Sequence, residues 1–148
     1  MSLYMESTKI SAEHTAAEIE KLLAEAGAIQ VWKQYDKDRK LRSFAFTLSI
    51  NNQEVPFELP ARIEPIFRYL QRKRDPRNRG KSEAVDREKA EWVSWRQMLC
   101  WIRAQLAMID TGMVEAGEVF SPYRQIAPGV TLWDYIKTGR LALPEAKQ

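Results

Sequence analysis

Phe44-Ala45-Phe46-Thr47-Leu48-Ser49-Ile50-Asn51-Asn52-Gln53-Glu54-Val55-Pro56-Phe57-Glu58-Leu59 is the stretch whose pattern decides the fold. Phe44, Phe46, Leu48 and Ile50 alternate with Ala45, Thr47 and Ser49, the period of two of a strand with one buried and one wet face. Asn51-Asn52 tolerates positive φ and reads as a turn. Val55, Phe57 and Leu59 then alternate in a further strand. Pro56 has no N–H to give a ladder, so this strand belongs at an edge or starts at a bulge. Upstream, Ile29-Gln30-Val31-Trp32-Lys33-Gln34-Tyr35 is strand-like and Asp36 to Lys40 is its polar turn. Short connections make the three strands an antiparallel meander.

Helices flank this meander. Ser11 is suited to cap a helix over residues 12–26, with Ile19, Leu22, Leu23 and Ala26 at helical spacing and Gly27 as its stop. After Pro60, the residues Ile63, Ile66, Phe67 and Leu70 mark the buried stripe of a second helix. Then, from Ser82 as expected cap, comes the longest element. Trp92, Trp95, Leu99, Ile102, Leu106, Ile109 and Met113 follow one another at steps of 3 and 4, a seam of three heptads that Gly112 ends. Pro128-Gly129 is a turn, and Leu132, Trp133, Tyr135 and Ile136 suggest a last short helix before a frayed tail beyond Leu143. The expected class is α+β in one domain over residues 1–148. Its parts are an α-βββ-α core at 6–71, a basic loop at 72–82, the long helix at 83–113 and a C-terminal extension at 114–143. Met1-Ser2-Leu3, ahead of a second methionine at Met5, reads as an expression scar, and residues 1–5 are not assigned to the fold.

Composition narrows the function classes. An apolar fraction of 45% with 29% charged residues is globular rather than disordered, and 148 residues suffice for a core without staples. One cysteine, Cys100, forms no intramolecular disulfide framework and points to a reducing, cytoplasmic location. No run approaches the roughly 18 apolar residues of a membrane span, and no signal peptide is evident. The net charge of +3 is unevenly spread: residues 62–81 hold eight bases against Glu64 and Asp75, a window of +6.

The run from Ala90-Glu91-Trp92-Val93-Ser94-Trp95 to Asp110-Thr111-Gly112-Met113-Val114, followed by Glu118-Val119-Phe120-Ser121-Pro122-Tyr123, resembles a family of small uncharacterised proteins of bacteriophages and prophages. Lys9-Ile10-Ser11, Ala26-Gly27-Ala28 and Pro128-Gly129-Val130-Thr131-Leu132-Trp133 extend the resemblance over residues 8–136. It implies a mobile-element setting and a cytoplasmic location. It implies no activity, because most of the shared positions are apolar or stop helices.

Catalytic chemistry finds little support. His14 is the sole histidine, and with Glu18 one turn on it reads as a solvent-facing pair rather than half of a metal site. Cys100 lies in an apolar helix face, where a thiol is usually a packing group. The order helix, three strands, helix resembles the core of restriction-endonuclease-like nucleases. Those need Glu-x-Lys on the third strand, and here it carries Glu58-Leu59-Pro60. No enzyme activity, cofactor, metal or small-molecule substrate is expected.

Two surfaces remain. Arg72, Lys73, Arg74, Arg77, Arg79 and Lys81 form a basic loop suited to successive phosphates, the one internal segment expected to be mobile. Lys40 and Arg42 on the hairpin add to it, and Trp32 is placed to stack a base. The expected role is a phage or prophage accessory protein that binds single-stranded DNA, since the element order is also similar to that of phage strand-annealing proteins. The alternative is an assembly or inhibitor module without nucleic-acid binding. There Trp92, Trp95, Leu99 and Ile102 would form a homo-oligomer interface on the long helix.

Overall fold

Alternation in the central stretch becomes a three-stranded antiparallel sheet in the computed structural model, which describes residues 2–139. Helix α1 (Ala12–Glu25) leads into β1 (Gln30–Tyr35), β2 (Leu41–Ile50) and β3 (Gln53–Pro60), in spatial order β1-β2-β3. Helix α2 (Ile63–Lys73), a 3-10 turn (Pro76–Asn78) and the long α3 (Glu83–Asp110) follow. The chain then forms α4 (Ala116–Phe120), a second 3-10 turn (Ser121–Tyr123), a small hairpin of β4 (Gln125–Ala127) and β5 (Val130–Thr131), and α5 (Leu132–Lys137). The α+β class is as the sequence indicates. Met1 and the tail beyond Leu143 lie outside the described residues.

The ladder pairs Phe44 with Leu59, Phe46 with Phe57 and Leu48 with Val55, so the alternating apolar residues of both strands share one face. All six are buried. Asn51 and Asn52 both take positive φ, 52° and 64°, which matches the right-handed twist of the strands they join. Pro56 stands opposite Thr47 on β3, an outer strand of this sheet, where its missing N–H costs no bond. Ile19 and Leu23 of α1 and Trp95, Leu99 and Ile102 of α3 cover the apolar face. Trp95 meets Phe44 edge-on at 5.4 Å, and Phe120 closes one end of the core with its ring 5.3 Å from Phe46.

The heptad seam therefore serves the core. Trp95, Leu99 and Ile102 have no exposed surface, and Trp92 is half-buried, which corrects the expectation that they form an interface between copies. The reason is that α3 lies between α1 and α2 and contacts both, so apolar residues on more than one side of the helix are covered. Ala90 and Val93, outside the seam, are buried as well. At its C-terminus Gly112 has φ 79° and Met113 N–H reaches the Met108 carbonyl, the αL stop expected from the sequence.

Three local features differ from expectation. Ser82 does not cap α3 with its side chain; its hydroxyl donates back to the Asn78 carbonyl at 2.5 Å. The β4–β5 hairpin was not foreseen, since strands of three and two residues carry no readable period. The N-terminal segment, which the sequence leaves unassigned to the fold, is attached to α3: the Gln97 amide donates to the Tyr4 carbonyl at 2.7 Å. Among the described residues no helix is long and apolar enough to cross a membrane.

Candidate nucleic-acid interface

The basic segment begins while α2 is still helical, because Arg72 and Lys73 belong to its last turn, where cations oppose the helix dipole. Proline at 76 and Asp75 then shape a 3-10 turn: the Asp75 carboxylate accepts the Arg77 N–H at 2.9 Å. The loop expected to be mobile is tied to the rest of the fold through Lys73, Arg74 and Arg79.

Four of its six cations have partners. Arg74 grips Asp86 of α3 with two hydrogen bonds of 2.8 Å, and Gln71 adds a third at 2.7 Å. Asp86 is 1% exposed, so this is a buried anion neutralised by a cation that is itself partly in water. The Arg74 guanidinium holds the Asp86 carboxyl below the usual aspartate range, against the opposing effect of burial. Arg79 donates through Nε to the Gln71 carbonyl at 2.9 Å and through Nη2 to that of Arg72 at 3.4 Å, satisfying carbonyls that the end of α2 leaves orphaned. Arg77 pairs with Asp75 at 2.9 Å in an exposed contact. Lys73 donates to Glu6 at 2.5 Å and lies 5.6 Å from the Tyr69 ring centre.

Arg72 and Lys81 remain. Both side chains are exposed and form no hydrogen bond or ion pair among the described residues. Arg68, one turn before Arg72 on α2, is in the same position. These three side chains are the open part of a corner whose other cations are held in place.

The hairpin residues are not gathered into this corner. Lys40 lies 4.0 Å from Glu91 of α3. Burial pushes the Glu91 carboxyl up, opposed by Lys40 and reinforced by Glu88 and Asp36. A cleft of about 590 Å³ opens here beside Lys33, Tyr35, Lys40, Glu88, Glu91 and Trp92. A second of about 560 Å³ has five acidic residues on its walls, among them Asp36, Glu64 and Glu91, against three basic ones including Lys40 and Arg42. Such walls do not favour a polyanion. Trp32 is half-exposed opposite Ala45, on the sheet face turned away from the α1–α3 core.

The sequence window missed the partners that decide which charges are available. Glu6 and Asp86 lie 67 and 12 residues from the cations they bind. No local pattern marks Asp86, an acid in the first turn of a helix, as buried. Among the described residues no three His, Cys, Asp or Glu side chains converge as a metal site. His14 faces solvent with Glu18 at 3.4 Å, and Glu58 receives a 2.9 Å hydrogen bond from Ser43. Comparison with protein-family models, with curated proteins and with solved structures returned no match.

Proposed function

We propose that this chain is a non-enzymatic binding protein whose α2–α3 corner contacts the phosphate backbone of a nucleic acid. The observation that carries the reading is three exposed cations, Arg68 and Arg72 on α2 and Lys81 before α3, without partners among the described residues, in the segment whose other arginines are anchored by Asp75, Asp86 and the end of α2. Anchored side chains lose less conformational entropy when a ligand arrives, and open ones supply the charge. Tyr69 lies under Lys73 at the corner and Trp32 is on a different surface, so the contacts are with phosphates rather than stacked bases. The sequence resemblance suits a phage or prophage setting, and the element order, similar to that of phage strand-annealing proteins, favours a single strand.

Fluorescence anisotropy with labelled single-stranded and duplex oligonucleotides tests it, at salt concentrations of about 50 and about 200 mM. Each phosphate contact adds about 0.7 to 0.9 to the log–log salt slope, so three open cations give a slope of about −2 to −3. A slope near −5 would mean that the anchored cations also leave their partners. No binding at the lower salt sinks the proposal.

A further inference from the structure

Eight large apolar side chains are exposed among the described residues, and three of them, Ile29, Trp32 and Tyr35, fall in or beside one strand. That strand, β1, is an edge. Among the described residues the sheet order leaves its outer side unpaired, whereas the corresponding side of β3 is bridged by Arg124 opposite Phe57. Natural edges are commonly guarded by charge, proline or a bulge. Here the one charge, Lys33, is drawn onto Glu20 of α1 at 3.4 Å, there is no proline, and the irregularities lie at the two ends, where the register shifts at Gln34/Tyr35 and the Ile29 N–H turns in to the Thr47 carbonyl.

Backbone direction shows what the edge offers. Ala61 N–H bonds to the Arg42 carbonyl, so the even-numbered residues of β2 face β3 with their polar backbone groups. Ser43, Ala45 and Thr47 must then face β1, where they stand opposite Gln34, Trp32 and Gln30. The N–H and C=O groups of Val31 and Lys33 are left pointing away from the sheet. The outward-facing backbone groups are symmetric about Trp32, one residue to either side. A strand of this kind complements an antiparallel copy of itself, as a two-fold axis requires.

We infer that β1 pairs antiparallel with β1 of a second copy about Trp32, giving a continuous six-stranded sheet. Val31 then stands opposite Lys33 of the second copy, and the reverse, with four main-chain hydrogen bonds. Trp32 meets Trp32 of the second copy in the closer, non-hydrogen-bonded position, where cross-strand aromatic pairs contribute most. Lys33 faces no like charge in this register. The dimer is independent of the nucleic-acid reading and does not use the α3 seam.

Sedimentation velocity at tens of micromolar should give twice the chain mass of 17.2 kDa. Lys33→Pro removes an N–H that faces outward and leaves the β1–β2 ladder intact, while Trp32→Arg places charge against charge. Both variants should keep the wild-type circular dichroism and weaken the dimer by about tenfold or more. Trp32→Cys in a Cys100→Ser background should form a disulfide-linked dimer on oxidation, since paired Cα atoms there are about 4.5 Å apart. A control Gln53→Cys, at the far end of the sheet, should not. A wild-type monomer overturns the inference, and so does a dimer whose affinity both β1 variants leave unchanged.

Discussion

At the corner between α2 and α3, side chains that look free in the sequence are engaged; at the edge of β1, large apolar side chains are open. Arg74, Arg79 and Lys73 reach Asp86, the α2 carbonyls and Glu6, whereas Trp32 and Tyr35 stay about half exposed beside an unpaired backbone. A charge or an indole ring has no fixed fate. What decides it is whether the fold brings a complementary group within reach, and at the corner those groups come from α3 and from the N-terminal segment.

The contrast is sharpest between two tryptophans. Trp95→Ala should destabilise by about 3 to 5 kcal/mol in denaturant unfolding, since it empties a fully buried site against Phe44. Trp95→Phe should cost clearly less, because the buried Trp95 Nε1 makes no hydrogen bond that would be lost. Trp32→Ala should stay within about 1 kcal/mol for the monomer. Equal losses at the two positions would show that Trp32 is packed.

Next in size is Arg74→Ala, which leaves Asp86 buried without its cation. A loss of about 3 kcal/mol is expected, the low end for a buried pair because Arg74 itself is 40% exposed. Asp86→Asn should cost less, since Arg74 can turn into water. Thermal unfolding checks both, and the salt slope of nucleic-acid binding should stay at the wild-type value in Arg74→Ala. A slope reduced by one would count Arg74 among the phosphate contacts.

Acid should close the gap between wild type and Arg74→Ala. The folded Asp86 carboxyl lies below its unfolded value, so the pair contributes in full above the ordinary aspartate range, near about pH 4, and fades as pH falls through the folded value. Unfolding free energies at neutral and at strongly acid pH measure this directly. A difference between the two proteins that holds constant with pH would remove the Arg74–Asp86 pair as its source.

The smallest stability effect belongs to the open cations. Replacing Arg68, Arg72 and Lys81 together by alanine should change stability by no more than about 0.5 kcal/mol, while the salt slope falls by about 2 to 3. A large stability loss here would erase the distinction between anchored and open charge.

Much of the fold was legible. Alternation at 44–50 and 55–59, the Asn51-Asn52 turn, Pro56 at an outer strand and the Gly112 stop all act through neighbours in the chain. The candidate site was legible only as a list of charges. Ser82 read as a cap because serines often are, yet its hydroxyl found the Asn78 carbonyl first. The 3-4 spacing of α3 read equally well as a core stripe or as a seam for another copy, because periodicity states which face is apolar and not what covers it.

The sequence by itself determined the element order, the strand faces and the principal stops, since these depend on dihedral preference and side-chain period over a few residues. Only the tertiary structure decided that the buried face of α3 up to Ile102 packs against α1, α2 and the sheet, that Asp86 and Glu6 occupy Arg74 and Lys73, and that β1 keeps an open edge among the described residues. Those outcomes depend on groups far apart in the chain, and their distances exist only once the chain has folded.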